Sequence, residues 1–534
     1  MATPYAHVSA FCRAVLSKII PDRFWGDGPV SHNKTVFLRR IDHFIKLRRF
    51  EAISLHEIAQ DFKISDMAWL QPPNFRQGQS TSQTDMEKRR ELFHEFLYYA
   101  FDSLLIPLIR SHFYVTETNS HRLQIFYFRH DIWKIVAESA LCDLKSGMFE
   151  EIKLDEAKSI LGRRKLGFGL MRLLPKGKKM RPITNLKRRS LPLTRDPRMP
   201  KNLGPSVNSI LQPVHAMLKY EKDMNSSKLG SALFAVGDLY ERIKSFKRSL
   251  PPGEHAFYFA KLDVTAAFDT IPQSAVVELM RSIPRQKTYV MTKHVEMKPG
   301  DHVSTLMNLL AQHIGQNIIK IGKKYYRQKK GIPQGSVLSS FLCNYFYADL
   351  EAKHLDFLHG PDCLLMRLID DFLLITLDSS KAVKFVQVMH QGVPDYGVEV
   401  NPAKTMVNFD MSIKDGQVRK VSQSTKFPYC GTLIDCQTLE ISKCHERDSS
   451  VHISASLTIH YGRSPGQNFQ KKVLHAFGLQ SHAMFFDTKH NSKATVLRSL
   501  RGAFFETAQK MWAYLRCLPA ARRPNEKLIA LEED

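Results

Sequence analysis

The chain has 534 residues, 43% of them hydrophobic and spread throughout, which exceeds one core and points to roughly three packed units at ~150 residues each. Lys and Arg number 77 against 52 acids, a formal charge of +25, and such an excess asks for a polyanion or an acidic membrane surface. No apolar run approaches the ~18 to 20 residues that span a bilayer, and the opening MATPYAHVSAFCRAVLSKII lacks the charged start and apolar block of a secretory signal; nucleic acid is the better partner.

Residues 1 to about 130 read as helical and aromatic. Apolar positions at helical spacing are mixed with Arg39, Arg40, Lys46, Arg48 and Arg49, a basic face that is either a nucleic-acid surface or simply a solvated one. The interleaved Phe37, Phe44 and Phe50 are expected in the core. Residues 71–85, QPPNFRQGQSTSQTD, form the clearest loop. A helix follows, interrupted near Pro107, and LQIFYFRHDIWKIVAES then reads as a strand running into a helix.

Residues 161–190 carry eleven Lys or Arg and no acid. GLMRLLPKGKKMRPITNL has two extended runs joined by a Lys-Gly turn, a basic hairpin suited to phosphates. Arg172, Lys176 and Arg181 can share one side of it; the plainer reading is a solvated ribbon. A Pro-rich connection occupies 190–206, and 207–250 is largely helical.

FYFAKLDVTAAFDTIP, from 257, is a buried strand ending in Asp263 and followed by an Ala-rich turn. Read alone, Asp263 is equally a strand-end cap, Phe268 a core residue and Asp269 a turn or cap residue. After a partly helical connection at 281–325, YYRQKKGIPQGSVLSSFLCNYFYADLE joins a basic strand to a long helix. Gly331, Pro333 and Gly335 set the turn, with Ser336 as N-cap. A Gly-lined helix start can approach a phosphate or base closely.

LLMRLIDDFLLITL, residues 364–377, holds Asp370 and Asp371 inside an apolar run, so a strand hairpin with the acids at its bend is the simplest geometry. Desolvated neighbouring anions need a positive partner, and a hard divalent cation such as Mg²⁺ suits carboxylate oxygens. The alternative is a polar turn in a strand pair. An amphipathic helix at 380–396 precedes VEVNPAKTMVNFD, whose Lys404 is a phosphate ligand, a general acid or a surface lysine. KFPYCGTLID, 426–435, is a strand–turn–strand with Gly431 at the bend, and the remainder is mostly helical and basic. The eight cysteines include no Cys-x-x-Cys pair and no accompanying His cluster. This argues against a zinc or disulfide framework and for reduced thiols in a cytosolic or nuclear protein.

A strand ending in Asp263, a Gly turn at 331–336 and a two-acid hairpin at 370 make the inventory of two-metal nucleotidyl transfer, a polymerase palm. These segments resemble the reverse transcriptases, most closely the telomerase reverse transcriptase family. LLPKGKKMRPI looks like the fingers motifs and FAKLDVTAAFDTIP like the first palm motif. KGIPQGSVLSS is similar to the template and primer motif, LIDDFLLIT to the two-Asp motif, NPAKTMVNF to the next, and FPYCGTLID to the primer grip. FWGDGPVSHNKTVFLRRIDHFIKLRRFEAISLHEI with SDMAWL looks like the telomerase-specific part of the RNA-binding domain.

The resemblance implies a mixed α/β and α+β fold, a right-hand polymerase preceded by a mostly helical RNA-binding segment. Its units would be 1–130 for RNA binding, 131–206 for the fingers, 207–435 for the palm with a fingers insertion at 281–325, and 436–534 for a partial thumb. It makes Asp263, Asp370 and Asp371 the catalytic, metal-binding triad for two Mg²⁺ ions. Arg172, Lys176, Arg181 and Lys404 would meet the nucleotide or its phosphates. Gln334, Gly335 and Ser336 would contact nucleotide and template, and Tyr429, Cys430 and Gly431 would brace the primer end. Phe268 falls where an aromatic ring packs under the sugar; many members have Tyr there. Arg39, Arg40, Lys46, Arg48 and Arg49 fall in the RNA-binding segment. The implied partners are telomerase RNA, telomeric single-stranded DNA and deoxynucleoside triphosphates, with accessory subunits possible and no membrane, at chromosome ends in the nucleus. Nothing resembles the family's N-terminal DNA-anchoring domain, and the thumb is short, so the chain is expected to be truncated at both ends. A retroelement reverse transcriptase and a non-catalytic RNA-binding scaffold of the same fold are the rival readings.

Overall fold

The computed structural model describes residues 1–26, 31–71, 82–177, 179–189, 203–289, 292–293, 296–297, 301–413, 416–422, 426–444, 453–460, 464–519 and 523–525. The loop expected at 71–85, the connection at 190–206 and the middle of the 281–325 insertion fall largely outside these residues.

Apolar positions at helical spacing build the N-terminal unit from Tyr5–Ile19, His32–Lys46 and Gln83–Tyr99. Ser54 and Glu57 form a capping box that starts Leu55–Ile58. Trp25 stacks on Phe37 with centroids 4.5 Å apart, within a core that includes Ile41, Phe93, Leu97 and Phe101. Phe44 packs against this core, but Phe50 is 64% exposed with the Arg49 guanidinium 4.9 Å from its ring centroid. The expected core position for Phe50 is therefore corrected. It lies beyond the end of His32–Lys46, where helical spacing no longer carries a side chain inward.

Pro107 does not end its helix. Gln83–Tyr99 passes through a π turn at Ala100–Leu105 into Ile106–His112, and the wide turn lies just before the residue that lacks an N–H. Among the described residues, the joined helix Gln83–His112 is long and apolar enough to cross a membrane by length and composition. This corrects the reading that no apolar run approaches that size. Phe93, Leu97, Phe101, Leu105 and Ile109 bury one face of it in the N-terminal core.

A five-stranded sheet follows in the order Phe149–Ile152, Lys324–Gln328, Ile318–Ile321, Gly169–Lys176, Lys179–Asn185. The last two strands are the basic hairpin, with Gly177 left-handed at its tip, φ +59°. Strands from 318–328 thus share the hairpin's sheet, so the limits expected at 206 and near 325 do not coincide with a sheet boundary.

The second five-stranded sheet runs Cys363–Leu368, Asp371–Thr376, Tyr258–Asp263, Met406–Val407, Arg419–Lys420. Strand alternation places Ala260, Leu262, Phe372 and Leu374 on one face, in the core with helices Gln212–Met224, Gln273–Arg281, Val303–Gly315, Ser339–His354 and Ser379–Gln391. Phe259, Met366, Leu373 and Ile375 face the other way, against helix Val236–Ser249 and the small sheet Lys426–Tyr429, Thr432–Asp435, Ile441–Lys443. The helix expected at 380–396 stops at Gln391, where Gly392 takes φ +77°.

Pro465–Gly478 and Lys493–Cys517 make the C-terminal helical pair. This region meets the N-terminal unit: Arg48 donates to the Leu457 carbonyl at 3.1 Å, and the Ile459 N–H donates to Glu51 Oε1 at 2.7 Å. All eight cysteines are free.

Candidate active site

Strands Cys363–Leu368 and Asp371–Thr376 are joined only by Ile369 and Asp370, with Leu368 opposite Asp371. So tight a hairpin needs a left-handed residue, and here it is Ile369, at φ +62°. A β-branched side chain is strained there. Buried Arg367 holds the turn, donating from Nη1 to the Ile369 carbonyl at 3.3 Å and from Nε to Glu351 Oε1 at 2.6 Å.

The neighbouring pairing sets Asp371 directly opposite Asp263, and the Val264 N–H donates to the Asp370 carbonyl at 3.1 Å. The three acids expected at one point therefore meet at one sheet end. Burial raises Asp370 above the usual carboxylate range, with Asp263 adding and Lys404 and Arg181 opposing. Burial pushes Asp371 up to about 6, offset in part by Lys261 and reinforced by Asp370 and Asp263. Lys404 Nζ donates to Asp263 Oδ2 at 2.6 Å. Among the described residues, no three His, Cys, Asp or Glu side chains stand gathered as a ready ligand set; Asp263 is turned to Lys404 instead. The donor chemistry nonetheless fits a hard divalent cation. Like charges opposed across a sheet are destabilising, and a doubly charged ion relieves both the repulsion and the burial.

Beside the acids, Arg181, Ile183, Phe268, Gln334, Gly335 and Ser339 line a cavity of about 220 Å³. Gly331 and Gly335 permit the turn at its wall: both are left-handed, and a Cβ would collide with the Phe268 carbonyl at the first and the Thr184 carbonyl at the second. Buried Asn208 clasps the same turn, donating to the Gly335 carbonyl at 3.1 Å and accepting from the Val337 N–H at 3.2 Å. The expected N-cap at Ser336 is corrected, because the helix begins at Ser339 with Leu338 at the cap position. Gly335 at φ +93° turns the chain out of helical geometry at that point. Ser336 Oγ instead accepts from the Leu338 N–H at 3.2 Å and meets His313 Nε2 at 2.8 Å. Burial, with Arg164 adding, lowers the His313 ring to about 3, so it stays neutral. Asp269 is not a cap either: it lies within the short helix Ala267–Thr270, and its Oδ1 accepts from Gln334 Nε2 at 2.7 Å.

On the basic hairpin, Ile183 opposes Arg172, Leu174 opposes Arg181 and Lys179 opposes Lys176, so Arg172, Lys176 and Arg181 share one face. Lys176 and Arg181 are exposed. Arg172 Nη1 donates to buried Glu117 Oε2 at 2.9 Å, and Arg49 reaches the same carboxylate at 2.9 Å. Burial raises Glu117, but the two guanidinium groups more than reverse this and hold it low. Arg39 and Lys46 are exposed like Arg49. Arg40 donates to the Gln60 carbonyl at 2.9 Å and Asp61 Oδ2 at 2.8 Å, and Arg48 joins the C-terminal region as described.

From the other side, strands Lys426–Tyr429 and Thr432–Asp435 turn through left-handed Cys430 and Gly431. Tyr429 Oη donates to the Asp371 carbonyl at 2.9 Å and accepts from the Leu368 N–H at 3.2 Å, bracing the two-acid hairpin. Lys261 Nζ lies 6.0 Å from the centre of the Tyr429 ring. Burial, with Asp371 adding, pushes the Cys430 thiol up to about 11.

Sequence reasoning missed Glu117, Asn208 and Lys261 and misread Asp269. Lys261 was within reach, since strand alternation puts it on the face of Asp263 two residues on. The other three act on partners 55 to 129 residues away, where no local pattern points.

Residues 7–144 match the family model for the telomerase ribonucleoprotein complex RNA-binding domain, and residues 207–434 match the reverse transcriptase (RNA-dependent DNA polymerase) model. The chain is 28% identical to telomerase reverse transcriptase of Bos taurus over 577 residues, covering 96% of this chain and 50% of that protein. It is 29% identical to the same-named protein of Canis lupus familiaris over 578 residues, with coverages of 96% and 50%. The chain thus spans about half the length of these curated relatives. Among solved structures, telomerase from Candida albicans in complex with a TWJ fragment of telomeric RNA superposes with a TM-score of 0.79 at 20% identity, covering 99% of this chain and 81% of that one. That likeness shows the fold. With the RNA-binding model on the helical unit, the polymerase model on the acid-bearing sheet, and relatives matched along nearly its full length, the chain is similar throughout to the telomerase reverse transcriptases.

Proposed function

We propose that the chain is an RNA-templated DNA polymerase that extends chromosome 3′ ends by two-metal nucleotidyl transfer on a separate RNA template. The observation that carries this reading is the register setting Asp371 opposite Asp263 with Asp370 at the adjoining bend. In this reading Asp263, Asp370 and Asp371 hold two Mg²⁺ ions. When bound, the metal supplies charge stabilisation to the attacking 3′-hydroxyl and the departing pyrophosphate.

The chain's own residues do the rest. Lys176, Arg181 and Lys404 meet the phosphates, with Arg172 behind them on the hairpin face. Phe268 packs under the sugar, while Gln334, Gly335 and Ser336 touch nucleotide and template. Tyr429, Cys430 and Gly431 brace the primer end through the two-acid hairpin. Arg39, Arg40, Lys46, Arg48 and Arg49 belong to the unit that holds RNA, and the charge of +25 suits two nucleic-acid strands. The partners are telomerase RNA, telomeric single-stranded DNA and deoxynucleoside triphosphates, and the place of action is the chromosome end in the nucleus. We assign 1–130 to RNA binding, 131–206 to the fingers, 207–435 to the palm and 436–534 to the thumb, with the strands of 318–328 joining the fingers sheet.

A retroelement polymerase is disfavoured by the match of 7–144 to a telomerase RNA-binding model. A scaffold without catalysis is disfavoured by three acids brought to one sheet end, two of them at a cost in burial. The test is Asp370→Ala: primer extension with the cognate RNA is expected to vanish while RNA binding stays unchanged. Equal extension by wild type and variant refutes the reading.

A further inference from the structure

Asp269 takes no part in the chemistry above, yet it sits against the cavity that would take the nucleotide. Its neighbour Phe268 lines that cavity, and Gln334, another lining residue, donates to its Oδ1 at 2.7 Å. The pairing is not needed to fasten the turn, which is already held to the short helix and to the helix Gln273–Arg281 that follows it. The Ile332 N–H already donates to the Phe268 carbonyl at 2.7 Å, and Gln273 Nε2 donates to the Gly331 carbonyl at 2.9 Å. Burial raises Asp269 above its ordinary value, opposed only in part by the Gln334 bond and nearby Arg181.

An ionised carboxylate only accepts hydrogen bonds. Gln334 turns its NH₂ toward Asp269 Oδ1, which leaves its Oε1 to other partners. Without such a partner, a side-chain amide can rotate and offer either end.

We propose that Asp269 is a positioning residue that fixes the Gln334 amide in the nucleotide cavity, so that Oε1 accepts a hydrogen bond from the incoming deoxynucleoside triphosphate. The proposal rests on the polymerase reading and deepens it, naming what sets the hydrogen-bonding sense of one wall. A bond of fixed sense discriminates more sharply than an amide free to turn, because the wrong end leaves polar groups unpaired.

The test is nucleotide kinetics on a preformed RNA template–DNA primer duplex. Asp269→Ala raises the KM for the complementary deoxynucleotide about ten-fold, the scale of one lost hydrogen bond, with kcat within about two-fold. Asp269→Asn keeps an acceptor oxygen without enforcing the sense, and raises KM about three-fold. Gln334→Ala matches Asp269→Ala in KM, and the double variant is no worse than either. An unchanged KM, or effects that add in the double variant, overturns the proposal; a merely structural role gives one of these, with a lowered melting temperature. If Asp269→Ala does not fold, Asp269→Asn carries the same comparison. If the wild type does not extend at all, the polymerase reading falls on that result. The proposal is then judged without turnover, by the rise in melting temperature on adding dGTP. A rise in wild type but not in Asp269→Ala supports it; equal rises, or none in wild type, overturn it.

Discussion

Lys404 Nζ lies 2.6 Å from Asp263 Oδ2, across 141 residues of sequence. The contact places an exposed ammonium on the carboxylate that closes the acidic cluster from the side opposite the two-acid bend. A divalent cation held there, as proposed above, would compete with the lysine for the same oxygens.

Replacing the lysine should therefore separate two effects. In Lys404→Met the metal concentration for half-maximal extension falls about three-fold, as expected for an exposed pair in high dielectric. The KM for the nucleotide rises, because the phosphates lose a cation. Metal titrations of primer extension at fixed nucleotide check the first effect, and nucleotide titrations at saturating metal check the second.

Phe268 forms part of the wall of a cavity of only about 220 Å³. Phe268→Ala enlarges it beneath the position proposed for the sugar and admits a 2′-hydroxyl. Discrimination between deoxy- and ribonucleotides, as a ratio of kcat/KM, is expected to fall by about ten-fold or more. Unchanged discrimination would remove Phe268 from this role.

Tyr429 Oη serves two backbone groups at once, the Asp371 carbonyl and the Leu368 N–H. Tyr429→Phe leaves both without that partner, at about 1–3 kcal/mol in chemical denaturation. Because those groups flank the bend carrying Asp370, extension slows while RNA binding holds. A variant of full stability and full rate would show that the brace is idle.

Glu506 carries a pH signature. Burial raises its pKa, but hydrogen bonds from Lys443 and Lys510 more than reverse this and bring it down to about 2. Lys443 ends the strand Ile441–Lys443, and Glu506 lies in helix Lys493–Cys517, so the pair fastens the C-terminal helix to the small sheet beside the acids. A folded-state pKa below the unfolded one adds stability above the unfolded value, near 4.5. That stability is lost as pH falls through about 2. Glu506→Gln is expected to melt earlier at neutral pH, by about 2 kcal/mol. The gap from wild type narrows as pH falls from about 4.5 to about 2, as thermal melts across pH would record.

Much of the site was legible along the chain because it is built from local periods. The apolar run around Asp370 and Asp371 is long enough for two strands on either side of a polar bend, and it folds as that hairpin. Alternation on the basic hairpin put Arg172, Lys176 and Arg181 on one face, and the register agrees. The Gly spacing of GIPQGS announced a turn, and both glycines are left-handed where Cβ atoms would collide. Ser336 misled because a good capping residue marks a helix start only if the next residues are helical, and here Val337 and Leu338 form a turn before the helix begins at Ser339.

What the residue order determined by itself was the kind of each element and the side-chain chemistry it carries: strand-borne acids, a basic ribbon, a glycine turn, a helical unit bearing arginines and lysines. Periodicity is a property of one strand or helix, so it reports which side of that element is apolar and nothing about what covers it. Tertiary structure alone decided that Glu117 takes up Arg172 and Arg49, that Asp269 faces Gln334, that Arg367 restrains the Ile369 turn, and that Phe50 stays outside. Each depends on surfaces brought together by the packing of separate elements, and electrostatic and steric complementarity between them is settled only when the cores close.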